Sequence, residues 1–113
     1  SIAALQVLHN EPERRVRLWD NRHYFYDGLK RLGFRITDSH SPIMPILIGD
    51  SQSALSMASR LLELGVYAPA IRPPTVPRET SRIRTTVTSE HTRDQLDHVL
   101  AAFGQAGREL GLI

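Results

Sequence analysis

Between Arg82 and Val87 the chain alternates strictly: Arg82, Arg84 and Thr86 interleave with Ile83, Thr85 and Val87. A strand sends successive side chains to opposite faces, so this segment requires a sheet with one side turned into a core and the other turned away from it. The chain has 113 residues, 41% of them hydrophobic, which supports one compact domain and one core. The apolar residues on either side recur mostly at helical spacing, so helices must cover the buried side of the sheet.

The flanking segments supply those helices. Ser1 to Leu8 is an apolar, helix-like run without a cap. Asn10-Glu11-Pro12-Glu13 then offers a cap candidate, an early proline and first-turn acids, which predict a helix start running to about Leu32 and closing at Gly33. Val16, Trp19, Tyr26, Leu29 and Leu32 recur along it at helical spacing. Phe34-Arg35-Ile36 reads as a short extended piece, and Pro45 to Gly49 as a buried strand bounded by breakers. Asp50 or Ser51 can cap a helix through Leu64 that closes at Gly65. Val66 to Ile71 predicts a second strand and Arg82 to Thr88 a third. Thr92-Arg93-Asp94-Gln95 has the spacing of a capping box, with Leu96, Val99, Leu100, Phe103 and Leu110 on one side of the helix that follows. The resulting fold class is α+β: a small, mainly antiparallel sheet with helices packed on one face.

Several function classes fall away on composition. The net charge is only +2, with 23% charged residues, which lacks the basic excess of a nucleic-acid binder. Arg14-Arg15-Val16-Arg17 has Glu11, Glu13 and Asp20 nearby and reads as a solvated, ion-paired face. The absence of cysteine removes disulfides, thiolate nucleophiles and thiolate metal sites, and fits a reducing cytoplasm. The apolar runs fall short of the roughly 20 residues of a membrane span. The five histidines, His9, His23, His40, His91 and His98, contain no HExxH pair, so no metal site is expected. Asp38-Ser39-His40-Ser41 carries the residue types of a hydrolytic triad, but extended neighbours point apart, and the segment reads as a polar turn before Pro42. Met44 and Met57 read as core filler.

Arg82 and Arg84 remain, about 7 Å apart on the outward side of their strand with no acid between them. A planar guanidinium grips a carboxylate through two parallel hydrogen bonds, so this pair is a candidate anion site; surface pairing with Glu79 or Glu90 is the bland alternative. The preceding loop, AIRPPTVP, holds three prolines in five residues from Pro73 to Pro77. Prolines restrict φ and lower the entropy of a free loop, so this one can present Arg72 and the Thr75 hydroxyl in fixed positions, or serve only as a stiff connector.

At these residues the sequence resembles the α-oxoamine synthases, pyridoxal-phosphate enzymes that condense an amino acid with an acyl-CoA. The resemblance covers essentially the whole chain, from EPERRVRLWDNRHYFYDGLKRLGF through SPIMPILIGD and GVYAPAIRPPTVP to SRIRTTVTSEHTRDQLDHVL. The IRPPTVP wording is most similar to the biotin-pathway branch, with the 5-aminolevulinate and 2-amino-3-ketobutyrate types as alternatives. The resemblance implies that residues 1–113 form the single C-terminal small domain of a fold-type I enzyme, with 1–10 ending a helix that comes from a missing large domain. It implies condensation of L-alanine with a pimeloyl thioester, pimeloyl-CoA, with decarboxylation, in a homodimer. It further implies that Arg84 holds the substrate carboxylate, with Thr75 and Arg72 bordering the same pocket. In this family the lysine that binds the cofactor, the histidine stacked on its ring and the aspartate at its pyridine nitrogen belong to the large domain, and none has a counterpart here. Residues 1–113 alone are therefore expected to lack catalysis and to bind neither pyridoxal phosphate nor acyl-CoA tightly. Two further readings stay open: a free-standing regulatory module sensing a carboxylate through Arg72, Arg82 and Arg84, and a structural domain without a ligand.

Overall fold

The computed structural model describes residues 2–36 and 41–113, with side chains from residue 12 onward. In chain order the elements are α1 (Ile2–Leu32), β1 (Arg35–Ile36), β2 (Ile43–Gly49), α2 (Ser51–Glu63), β3 (Ala70–Ile71), β4 (Ser81–Thr86) and α3 (Arg93–Glu109). The strands form one antiparallel sheet in the order β1-β2-β4-β3. This is the α+β class expected from the sequence.

The buried side of the sheet carries Ile36, Met44, Ile46, Ile83 and Val87, which pack with Phe25 and Leu29 of α1, Met57 and Leu61 of α2, and Leu96 and Phe103 of α3. Phe103 meets Phe25 and Phe34 edge-on, with ring centroids 6.1 and 5.7 Å apart. Each such buried side chain contributes about 1.5–3 kcal/mol relative to an exposed one. Met44 and Met57 are fully buried. Two small hydroxyl residues share this side of β4. Thr85 Oγ1 donates to Met44 O at 2.7 Å, and the Ser81 hydroxyl lies 3.4 Å from that of Ser51.

Helix ends follow the local chemistry. Asp50 caps α2 by accepting from Ser53 N at 2.9 Å, and that backbone N–H holds its carboxyl below the usual range. Thr92 and Gln95 form the reciprocal capping box that starts α3. Gly33 and Gly65 adopt φ of 108° and 87°, the left-handed region in which a Cβ is costly.

Four expectations need correction. Helix α1 does not start at Asn10–Pro12 but runs through Pro12, whose fixed φ is itself helical and which removes only one backbone bond. The cap candidate Asn10 and the first-turn acid Glu11 lie outside the residues whose side chains are described. Val16 and Trp19 of α1, and Leu110 after α3, are exposed rather than core, while Phe25, which the spacing argument passed over, is buried. Strand β2 begins two residues before Pro45. Arg84 N–H donates to Pro69 O at 3.0 Å, so at this rung the Arg84 backbone faces β3. Its β2 partner Pro45 therefore sits in a non-hydrogen-bonded pair, and its missing donor faces the side where β1 pairing ends at Ile36. Finally, β3 covers only Ala70–Ile71, although Val66 and Ala68 are buried on either side of exposed Tyr67.

The polar-turn reading of Asp38, Ser39 and His40 lies outside the described residues. Ser41 is described, and its hydroxyl accepts from Ile43 N. Arg14, Arg15 and Arg17 are exposed, and none takes part in an ion pair among the described residues. No helix of the described residues is long and apolar enough to cross a membrane.

Candidate functional site

All three helices pack on one side of the sheet, and among the described residues nothing covers its other side. Cross-strand pairing places Arg35, Leu47, Arg82 and Ile71 in one row across the four strands, and Pro45 beside Arg84 in the adjacent row. Paired residues in an antiparallel sheet project to the same face, so three arginines share this surface with the exposed apolar residues Ile43 and Leu47. No aspartate or glutamate occupies these strand positions.

Arg84 projects from the centre of this face. It is exposed, and among the described residues its guanidinium has no hydrogen-bond or ion-pair partner; neither Glu79 nor Glu90 pairs with it. The bland reading of surface pairing therefore finds no contact here. Directly behind Arg84, Thr85 is pinned to β2 and Ile83 is fully buried, so the backbone carrying the arginine is held from both sides.

Arg82 behaves differently. It is half-buried, and its Nε donates to Thr80 O at 3.0 Å. Thr80 is itself fixed, because its N–H and its hydroxyl both donate to Pro77 O. Arg82, Thr80, Pro45 and Leu47 line a small concavity. Arg35 lies beyond Leu47 in the same row and borders a second concavity with Glu79.

The loop residues Arg72 and Thr75 are both exposed, and Thr75 N closes a turn onto Arg72 O at 3.1 Å. The pairing of Ile71 with Arg82 sets Arg72 next to the Ser81 end of β4, three residues, or about 10 Å, from Arg84. The fold thus brings Arg82 and Arg84 together on one face and leaves Arg72 and Thr75 at the loop end of it.

Arg35 and Arg22 escaped the sequence reading. Ile36 points in and Arg35 out, but β1 is only two residues long, too short for alternation to show in the sequence. Buried Arg22 lies over the rings of Trp19 and Tyr26, each centroid 5.6 Å away, and its Nε donates to Ser41 O at 2.7 Å, tying α1 to the start of β2. The adjacent Asn21 donates to Thr88 O and His91 O, tying α1 to the segment between β4 and α3. Neither contact has a local signal. Two histidines make structural contacts: His91 Nδ1 accepts from Thr88 N at 3.0 Å, and His98 Nε2 lies 3.2 Å from Leu64 O. Among the described residues no group of three or more candidate ligands could hold a metal ion.

With this geometry in place, comparison with known proteins is informative. The family model described as aminotransferase class I and II matches residues 2–103. The 8-amino-7-oxononanoate synthase of Symbiobacterium thermophilum is 49% identical over 99% of this chain and 29% of its own length. A Thermus thermophilus protein named 8-amino-7-oxononanoate synthase/2-amino-3-ketobutyrate coenzyme A ligase is 45% identical over 99% of this chain and 28% of its own length. The chain thus spans less than a third of the length of these curated relatives. Among solved structures, a serine palmitoyltransferase from S. paucimobilis with bound PLP and myriocin superposes with a TM-score of 0.87 at 36% identity, covering 98% of this chain and 28% of that one. An 8-amino-7-oxononanoate synthase from Francisella tularensis superposes with a TM-score of 0.75 over 96% of this chain and 31% of that one; at 22% identity this is a likeness of fold.

Proposed function

Because the chain belongs to the aminotransferase class I and II family, we propose that it is the C-terminal, carboxylate-binding domain of a pyridoxal-phosphate-dependent C-acyltransferase. The complete enzyme condenses L-alanine with a pimeloyl thioester, with decarboxylation, to give 8-amino-7-oxononanoate in biotin biosynthesis. The observation that carries the reading is the Arg84 guanidinium on the open face of the sheet, without a partner among the described residues and on a backbone locked by Ile83 and Thr85. The names of the relatives support the reaction class.

The residues present here do not fit the cofactor by themselves. Its aldehyde needs an amine, and the single lysine, Lys30, is exposed in the last turn of α1 with its ammonium over the Tyr26 ring. The cofactor's chemistry, stabilising negative charge at the amino-acid α-carbon, belongs to the complete enzyme, which we place in a homodimer with a large domain preceding this one. This chain's part is electrostatic and geometric. Arg84 holds the α-carboxylate through paired hydrogen bonds, which fixes the rotation of the amino acid and so selects the α-bond that breaks. Arg72 and Thr75 border the pocket from the loop.

The test is product identity. Full-length protein supplied with pyridoxal phosphate, L-alanine and pimeloyl-CoA yields 8-amino-7-oxononanoate by mass spectrometry, and Arg84→Lys slows this with a raised KM for alanine. A different ketone product overturns the substrate assignment, and an unchanged alanine KM overturns the role of Arg84. The second name carried by the Thermus thermophilus relative favours one alternative, a 2-amino-3-ketobutyrate product, which a parallel assay supplied with glycine and acetyl-CoA distinguishes.

A further inference from the structure

We propose that Arg82 holds a second oxyanion, one carried by the acyl thioester, while Arg84 holds the carboxylate of the amino acid. The proposal rests on the reaction class above, since it assigns that reaction's other substrate to this sheet face. Three observations support it.

The first is orientation. A free surface arginine loses rotamer entropy when it binds an anion. Arg82 has lost much of that freedom already, because its Nε is tied to Thr80 O at 3.0 Å and Thr80 is tied twice to Pro77 O. The Pro77–Thr80 turn before β4 thus orients Arg82, and the four Nη hydrogens of Arg82 have no acceptor among the described residues. A guanidinium held at Nε with its outer edge open is shaped for bidentate capture of a carboxylate or phosphate.

The second is the floor. Pro45 and Leu47 line the concavity with Arg82 and Thr80, and Ile43 continues the apolar strip along β2. Methylene groups can lie on such a strip while an anionic end reaches Arg82. Arg82 stands two residues, about 7 Å, from Arg84, so one small anion does not occupy both in bidentate fashion.

The third is charge. Arg35 lies in the same cross-strand row on the far side of Leu47, adding positive potential. The acid at the rim is Glu79, which lines the concavity next to Arg35 and forms no ion pair among the described residues. Alanine carries one carboxylate, which Arg84 takes. Apart from the cofactor's own phosphate, the remaining oxyanions in the reaction are on the thioester, either a distal carboxylate of a dicarboxylic chain or a phosphate of its carrier.

The test uses full-length enzyme and three acyl donors: pimeloyl-CoA, heptanoyl-CoA without the distal carboxylate, and pimeloyl-N-acetylcysteamine without phosphates. Arg82→Gln raises KM for pimeloyl-CoA about tenfold while KM for alanine stays within about twofold, the loss expected for one charge-assisted contact. Arg82→Lys recovers part of it. A penalty that vanishes with heptanoyl-CoA assigns the distal carboxylate, and one that vanishes with the phosphate-free donor assigns the carrier; both support the proposal. An equal rise in alanine KM, a penalty that persists with both altered donors, or no penalty overturns it. If the wild type makes no product from alanine and pimeloyl-CoA, the reaction class fails separately. Calorimetric titration of pimeloyl-CoA into wild type and Arg82→Gln then decides the role of Arg82: about tenfold weaker binding supports it, and equal affinity or no binding overturns it.

Discussion

Ile83 and Arg84 are neighbours on β4 with opposite fates. Ile83 is fully buried against the helices, with Thr85 hydrogen-bonded and Ser81 beside Ser51 on the same side. Arg84 is exposed on the other side, where Arg82 and Arg35 share the surface with Leu47 and Ile43. One side of the strand has its packing and hydrogen bonding satisfied within the chain. The other carries Arg35, Arg82 and Arg84 over apolar residues, and none of the three forms an ion pair among the described residues. The difference separates residues kept for folding from residues available for a ligand, and substitutions on the two sides should separate just as cleanly.

The largest expected effect is on the packed side. Ile83→Ala costs about 2–5 kcal/mol of stability, because it opens a cavity in a tightly filled core. Denaturant unfolding checks this, and a cost below the lower bound would mean that the core collapses around the gap. Arg84→Lys comes next and reverses the pattern. It changes stability by no more than about 0.5 kcal/mol, as surface substitutions usually do. In the full-length enzyme it raises KM for the amino acid about tenfold or more and lowers kcat, because the paired hydrogen bonds are lost while the charge remains. Steady-state kinetics with circular dichroism melting measures both, and a loss of stability matching that of Ile83→Ala would break the distinction between the two sides.

Smaller effects sharpen it. Thr92→Ala removes the side-chain half of the capping box at the start of α3 and costs about 0.5–2 kcal/mol with no change in amino-acid KM. The smallest effect concerns the clasp between α2 and α3, where Arg60 Nε donates to Glu109 Oε2 at 2.7 Å and Arg60 Nη2 to Oε1 at 3.2 Å. The Arg60 hydrogen bonds hold the Glu109 carboxyl below its usual range, with Gln105 adding to the effect. A lowered folded-state pKa gives stability that is complete above the ordinary carboxylate value and is lost as pH falls through the folded value. Melting temperature should therefore decline on acidification below the ordinary glutamate range, and Glu109→Gln should make that decline slightly shallower while leaving substrate KM untouched. An identical acid slope in both proteins would show that the clasp is too solvated to matter.

Much of this was legible in the chain, for identifiable reasons. The two faces of β4 followed from period-two alternation, the caps at Asp50 and Thr92 from local hydrogen-bond chemistry, and the closing glycines at 33 and 65 from the φ they must adopt. Arg84 was legible because it sits in the middle of the clearest strand. Arg35 was not, because a two-residue strand has too little length to show a period. The clamps of Asn21 on Thr88 and His91, and of Arg22 on Ser41, were invisible because they join residues 19 to 70 positions apart. The long α1 pattern also misled: Val16 and Trp19 stay exposed, with Arg22 lying over the Trp19 ring, whereas Phe25 is buried because α3 crosses there.

The sequence by itself determined what depends on neighbours within a turn or two of the backbone: the caps of α2 and α3, the strand faces and the α+β class that follows from mixing two hydrophobic periods. Only the tertiary structure decided how those pieces share space. Strand order and register put Arg35 and Arg82 in one row, Pro45 beside Arg84, and Thr80 under the guanidinium of Arg82. The physical reason is range. Torsional preference and capping act along the chain, whereas the direction and partner of a charged side chain depend on contacts between segments, which no local pattern encodes.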